Sequence, residues 1–304
     1  MNTHTDRFTA ALGRCHSMIA RYAYLLLFIS PTAACTKGDK VPAYVDVGPM
    51  SMSTTWAQGG ATCKVTDAWI TVNERLVGVW ELPARVPILA EGPNVIGVVP
   101  AIKRNGAFDD RLRYPFYKPW SATVDLMREG TSSVSPTTSY TDETLVWQEG
   151  FEDLFSQFTH TANSDVELQR FTPATHPDLI YLENGPCAGL LLDADHRFAR
   201  IETDEDFLTY GGPAFMEIDH RSDIFITVGV KYFAGGLERY EPYVYLPPTR
   251  RADGGMPWNK VYLDLSAFFN SAVSERDVYI EAQLPASRSS AEIYLDNIKI
   301  LRIP

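Results

Sequence analysis

Cysteine, basic charge and long apolar runs are all scarce in this chain, and each shortage removes a class of protein. Four cysteines in 304 residues are too few to staple a disulfide-built scaffold. Cys15 and Cys35 fall in an N-terminal segment treated below, which leaves Cys63 and Cys187. A bridge between those two needs Cα atoms within ~7 Å, and they lie in different expected domains, so two buried thiols are expected. Lysine and arginine number 27 against 38 acidic residues, for a formal net charge of −11. No basic stripe accumulates, which argues against nucleic acid as a partner. No stretch reaches the ~20 apolar residues of a membrane helix. Helical periodicity longer than two turns is missing too, which points to an all-β chain. Also missing are the His-Glu-x-x-His, Gly-x-Ser-x-Gly and phosphate-loop patterns. With 45% hydrophobic and 21% charged residues, the composition is that of a folded globular protein.

What is present begins with an address. Arg7, Arg14 and Arg21 precede an apolar run from Tyr22 to Ile29, followed by Ser30-Pro31-Thr32-Ala33-Ala34-Cys35. A basic start, a short apolar middle and a small-residue end are the physical parts of a secretory signal. Thr32-Ala33-Ala34-Cys35 resembles the lipobox of bacterial lipoproteins, departing from it at Thr32, where a leucine-like residue is commoner. The alternative is a soluble secretory signal with a chance cysteine, and Met18 is an alternative start. The resemblance implies cleavage after Ala34 and a diacylglycerol on the Cys35 thiol. Each buried methylene then adds ~0.8 kcal/mol of membrane affinity, and more than one acyl chain makes the anchoring stable. Thr36-Lys37-Gly38-Asp39-Lys40 resembles the charged stretch behind the cysteine in Bacteroidota-type lipoproteins. It implies the outer membrane, at the cell surface, without deciding the leaflet. Residues 1–34 are thus expected as signal peptide and 35–42 as a polar tether.

From Val41 the chain reads as short β-branched runs punctuated by Pro, Gly and Asn. Met50 to Thr55 is a strand candidate. Trp69-Ile70-Thr71-Val72 and Leu76-Val77-Gly78-Val79-Trp80 flank Asn73-Glu74-Arg75 as a hairpin. Val95 to Val99 is a buried strand, and Ala122 to Leu126 closes the domain. This order resembles the PEGA-like and immunoglobulin-like sandwiches of envelope lipoproteins, carried by Ile70 to Gly78 and the Glu91-Gly92 turn. The small polar run from Gly130 to Ser139 predicts a linker at 131–143. Beyond it, Val261, Leu263 and Leu265 share one face, as do Val278, Ile280 and Ala282. Val146 to Asp153, with Phe151-Glu152-Asp153, resembles the opening strand of jelly-roll modules. Ala291 to Ile300 resembles the closing strand of galactose-binding-like and carbohydrate-binding jelly rolls. The expectation is an all-β protein of two β-sandwich domains, immunoglobulin/PEGA-like at 43–130 and jelly roll at 144–304.

Chemistry is sparse. Glu217-Ile218-Asp219-His220-Arg221-Ser222 resembles the Glu-x-Asp-x-x-Glu strand of jelly-roll glucanases, but Ser222 stands where the second glutamate belongs. Two carboxylates ~5.5 Å apart are needed for retaining hydrolysis, so no enzyme is expected. Asp193-Ala194-Asp195-His196 has metal-capable side chains but no partner cluster to complete a transition-metal site. The jelly-roll resemblance implies a structural calcium at Glu152, Asp153 and Asp296, with oxygen ligands as that cation prefers; no other cofactor is expected. Two aromatic groups are candidate binding residues: Tyr114, Phe116, Tyr117 and Trp120 in a proline-held loop, and Tyr240, Tyr243, Tyr245 and Trp258 in the second domain. The functional expectation is a non-catalytic outer-membrane lipoprotein, an accessory subunit contacting envelope proteins. Glycan binding through the jelly roll is the alternative, and a jelly-roll glycosidase using Glu217 the lesser one.

Overall fold

The structure, a computed structural model, describes residues 41–208 and 211–303. The signal segment, Cys35 and the tether up to Lys40 lie outside the described residues.

The first half is a two-sheet sandwich. Its strands are β1 (Ala43–Val47), β2 (Ser51–Met52), β3 (Asp67–Val72), β4 (Arg75–Glu81), β5 (Ala84–Ile88), β6 (Gly92–Lys103), β7 (Arg111–Arg113), β8 (Trp120–Leu126), β9 (Thr131–Val134) and β10 (Thr137–Thr138). One sheet runs β5-β1-β9; the other runs β4-β3-β6-β7, with β8 also on β6. Alternation drives both: Ala43, Val45 and Val47 point inward on β1, and Ile96 and Val98 on β6. With Ile70, Val86, Ile88 and Leu126 they form the core. The expected hairpin is present, with a tight turn at Asn73 and Glu74, φ 48° and 66°. Both central residues being left-handed fits the twist of the strands.

Two local readings differ. Only Ser51 and Met52 of the 50–55 segment are a strand, and a 3₁₀ turn follows at Trp56–Gln58. Residues 131–143, expected as a linker, are built into the sandwich. Thr131–Val134 pairs in parallel with β1, and Thr137–Thr138 with β2. Serines and threonines look like linker chemistry, but their backbone groups complete a ladder that no side chain announces.

The second half comprises β11 (Leu145–Glu149), β12 (Phe158–His160), β13 (Gln169–Phe171), β14 (Cys187–Asp193), β15 (Phe198–Thr203), β16 (Ala214–Ser222), β17 (Ile226–Ala234), β18 (Leu237–Leu246), β19 (Asn259–Asp264), one turn of helix α1 (Ser266–Phe269), β20 (Ser274–Gln283) and β21 (Ser290–Arg302). A six-stranded sheet, β13-β14-β21-β16-β19 with β11 also on β21, faces a five-stranded sheet, β12-β15-β20-β17-β18. This is the expected jelly-roll sandwich. Val261, Leu263, Val278, Ile280 and Ala282 do face its core. Cys63 and Cys187 are free thiols, and burial pushes the Cys187 thiol up to about 12.

The two sandwiches meet on the outer face of the six-stranded sheet. Ile102, Tyr114, Phe116, Tyr117 and Tyr140 come from the first half; Phe215, Tyr262 and Leu301 come from the second. At the centre lies Glu217, fully buried. Tyr114 and Tyr117 donate their hydroxyls to its Oε1 at 3.0 and 3.1 Å, and Tyr140 donates to Oε2 at 3.0 Å. Lys260 Nζ lies 3.1 Å from Oε2 and 3.3 Å from Asp219 Oδ2. Burial opposes the Lys260 charge, but Asp219 and Glu217 outweigh it and raise its pKa. Burial and then Glu217 raise the Tyr114, Tyr117 and Tyr140 hydroxyls well above the ordinary value, which keeps them as donors.

An uncompensated buried charge costs ~3–5 kcal/mol, and a neutral hydrogen bond ~1 kcal/mol. Glu217→Ala removes one of the two carboxylates on Lys260 and the acceptor of three buried tyrosine hydroxyls, so it should destabilise the protein by roughly 3 kcal/mol, and Tyr140→Phe by about 1 kcal/mol. Urea unfolding followed by tryptophan fluorescence measures both; equal, small losses would show that the carboxylate does not hold the interface.

Candidate functional site

The outer face of the six-stranded sheet is largely covered, leaving beside Asp219, Asn259 and Lys260 a depression of about 520 Å³. Half of it lies under the first sandwich. Over the other half, Phe171, Cys187, Tyr294 and Met256 pack with Tyr181, Leu179 and Trp258. Arg221 Nη1 and Trp258 Nε1 both donate to Ile180 O, at 2.7 and 3.1 Å. This placement corrects the proline-held loop: Tyr114, Phe116 and Tyr117 are interior, 3%, 0% and 3% exposed. The segment is not extended throughout: Pro115 and Phe116 form a turn closed by Tyr117 N–H donating to Tyr114 O at 3.4 Å, and the surface that takes its aromatics is the neighbouring sandwich. Trp120 is half-buried and packs on the first core. Glu217, the one catalytic carboxylate suggested by sequence, is sealed in the same interface.

The outer face of the five-stranded sheet is different. Its inward residues on β20 are Val278, Ile280 and Ala282, so Asp277, Tyr279, Glu281 and Gln283 point outward. Register then aligns side chains in rows. One row runs Arg200, Glu281, Thr227, Tyr245; the next runs Glu202, Tyr279, Gly229; a third runs Asp277, Lys231, Tyr240. Arg200 donates Nε and Nη2 to Glu281 Oε2 at 2.8 and 2.6 Å. Its guanidinium carbon sits 4.4 Å from the Tyr240 ring centre and 5.1 Å from that of Phe198. Lys231 Nζ pairs with Glu202 at 2.9 Å and Asp277 at 2.8 Å. Tyr240 donates its hydroxyl to Glu202 Oε2 at 2.9 Å, and burial and Glu202 raise its pKa to about 12. Gly229 makes this packing possible: a Cβ there would lie 2.4 Å from both the Tyr279 ring and Glu241 O. The result is a surface with Phe198, Tyr240 and Tyr245 partly or fully open over a buried Tyr279, 1% exposed, and with flanking charged groups locked by one another. Tyr245, 64% exposed, stands at its β18 edge.

Of the second aromatic group, then, the structure brings Tyr240 and Tyr245 to one surface. Tyr243 packs on Phe268, its hydroxyl accepting from Asn105 Nδ2 at 2.9 Å. Trp258 packs on the covered sheet. Sequence reasoning missed Arg200, Glu202, Lys231, Tyr279 and Glu281. The signal lies on β20, where the alternation that turns Val278, Ile280 and Ala282 inward turns 277, 279 and 281 outward.

The acidic candidates separate. Among the described residues no group of three or more His, Cys, Asp or Glu is placed to hold a metal ion. Asp153 lines a surface depression with Leu154 and His160, whereas Asp296 is buried beside Asp219 on β16. Burial, and then the carboxylates of Asp219, Glu152 and Glu183, push Asp296 up to about 8. Asp193 is spent on its own turn: Oδ1 accepts from the backbone N–H of Asp195 and His196 at 2.9 and 2.8 Å.

No family model and no curated protein matches the chain. Solved structures do. TmCBM61 in complex with β-1,4-galactotriose is 12% identical, with 48% of this chain and 86% of that one covered, at a TM-score of 0.30. CBM28, a non-crystalline cellulose specific carbohydrate-binding module, is 12% identical over 49% and 90% at a TM-score of 0.36. The family 11 carbohydrate-binding module of the cellulosomal cellulase Lic26A-Cel5E of Clostridium thermocellum is 10% identical over 50% and 91% at a TM-score of 0.35. At these scores the likeness carries no argument about what this chain binds.

Asp296 gives a pH test. Its folded pKa lies above the unfolded value of 3.8, so its favourable contribution is full below the unfolded pKa and is lost as pH rises through the folded one. Asp296→Asn, which keeps an acceptor for the Asn297 N–H, should raise Tm by roughly 5 °C at about pH 8.5 and leave it nearly unchanged at about pH 4. Scanning calorimetry across that range measures it; a shift of equal size at both ends would contradict the buried, protonated carboxyl.

Proposed function

We propose that this chain is a non-catalytic saccharide-binding protein, held at the outer membrane by lipidated Cys35. The observation that carries the binding reading is the division of labour between the two jelly-roll sheets. One outer face is consumed by the first sandwich and the loop before β14. The other keeps Phe198, Arg200, Tyr240 and Tyr245 half-exposed or exposed on a surface whose polar groups are already oriented. Sugar rings present C–H faces that stack on aromatic rings and hydroxyls that bond to fixed carboxylates and guanidinium groups, and preorganised partners cost little entropy on binding. The anchor rests on the sequence from Arg21 to Cys35 alone.

A second reading has its own observation. The outer face of β4, β3 and β6 in the first sandwich exposes Leu76, Val79 and Val95, apolar surface suited to an envelope-protein partner.

Titration calorimetry against a panel of neutral oligosaccharides tests the first reading. Tyr245→Ala should weaken binding about tenfold, the scale of one lost stacking contact, with Tm unchanged because the ring is exposed. Absence of binding across the panel, or affinity untouched by Tyr245→Ala, overturns the saccharide reading in favour of the protein partner. The anchor has a separate check: Cys35→Ala should move the protein out of the membrane fraction, and its retention there would overturn lipid anchoring.

A further inference from the structure

Tyr245 belongs to two surfaces. It closes a row of the open sheet, and it also lines a cleft of about 410 Å³ between the sandwiches. The opposite wall is the β6–β7 hairpin of the first sandwich, docked by its backbone: Asn105 N–H donates to Tyr262 O at 2.8 Å, and Asp264 N–H donates to Asn105 Oδ1 at 2.8 Å. That docking holds Phe108, 84% exposed, in the lining of the same cleft as Tyr245.

The charge of this cleft runs against the rest of the chain. Its lining contains Lys64, Lys103 and Lys260 and no acidic residue, in a protein of net charge −11. Two of the three are balanced from behind by buried carboxylates: Lys103 by Asp67 at 3.0 Å, and Lys260 by Glu217 and Asp219. Lys64 is not. Its Nζ donates to a neutral acceptor, Asn259 Oδ1, at 2.6 Å, and it enters no ion pair among the described residues. Partial loss of water lowers its pKa, with only Asp219 pulling the other way. Lys64 nonetheless stays exposed and lines the cleft. Two aromatic side chains and an ammonium without an ion-pair partner among the described residues, all lining one cleft, form a site for a ring bearing a negative charge.

We propose that this cleft is a subsite for an acidic sugar, a uronate or sulfated residue, at the end of a saccharide lying on the open sheet, with Tyr245 as the shared platform. It rests on the saccharide reading and goes beyond it by naming the ligand's charge. Lys64 meets the carboxylate or sulfate, and Phe108 covers the ring. The site exists only because the two sandwiches are docked.

The test uses the full chain in detergent. Titration compares tetragalacturonate and a chondroitin sulfate tetrasaccharide with neutral β-1,4-galactotetraose and cellotetraose, each at low and high salt. Expected is binding of an acidic probe about tenfold tighter than its neutral counterpart at low salt, the scale of one partly shielded charge pair, shrinking as salt rises. Lys64→Met should erase that preference and leave neutral binding unchanged; Phe108→Ala, at an exposed site that folding does not need, should weaken the acidic probes only. Equal affinity for acidic and neutral probes, or an acid preference that survives Lys64→Met, overturns the cleft assignment while the sheet reading stands. Absence of binding to either class overturns both.

Discussion

A single buried carboxylate organises this protein. Glu217 sits where two sandwiches meet and is satisfied from both: Tyr114, Tyr117 and Tyr140 reach it from the first, Lys260 from the second. A charge removed from water is tolerated only with such a complete set of partners. The geometry is therefore all-or-none. Separating the sandwiches would strand a carboxylate on one side and three hydroxyls on the other, so their relative orientation is fixed far more firmly than apolar contact alone would fix it.

The neighbouring charges follow from that choice. Asp219, Lys260, Asp296 and Lys299 all lie within or beside the interface, and they adjust. Burial first, and then nearby acids, push Asp296 up to about 8. Burial pulls Lys299 down to about 8 against the attraction of Glu217. The set thus pairs Lys260 with both Glu217 and Asp219, with Lys299 close by. Lys299 is held by the Gly60 carbonyl at 2.6 Å, which ties the loop after the 3₁₀ turn to the same network. Pairing opposite charges within the buried cluster limits the desolvation cost that each charge alone would incur.

The sequence made the architecture legible where periodicity alone decides it. Alternation on β19, β20 and β21 places the right side chains in the core, and the two-residue turn at Asn73 and Glu74 marks its hairpin. The parallel pairing of Thr131–Val134 with β1 was illegible because a ladder of backbone groups needs no particular side chain. The interface was misread for a different reason. A proline-held stretch of tyrosine, phenylalanine and tryptophan looks the same whether it meets a foreign partner or another part of its own chain. Glu217 shares this ambiguity: a carboxylate on a jelly-roll strand is a nucleophile if open to substrate and a staple if sealed by tyrosines, and only packing distinguishes the two. The open platform was half visible, in Tyr240 and Tyr245, and the charged residues that fix it were hidden in the polar positions of strands read only for their apolar ones.

The docking also decides which surfaces remain for function. Had the first sandwich packed elsewhere, the six-stranded sheet would present Glu217, Asp219 and Lys260 to solvent. Buried as they are, these groups turn their charge inward, and Lys260 reaches the interdomain cleft with its counter-ions behind it. Lys64, contributed by the first sandwich, arrives there without one. The polarity of the cleft is therefore a by-product of how the staple is satisfied: the carboxylates that would neutralise it are held by tyrosines and by Lys260 on the far side. Neither sandwich alone has this combination of Phe108, Tyr245 and an unbalanced ammonium. The same interaction that costs the protein one sheet face creates a composite edge beside the other.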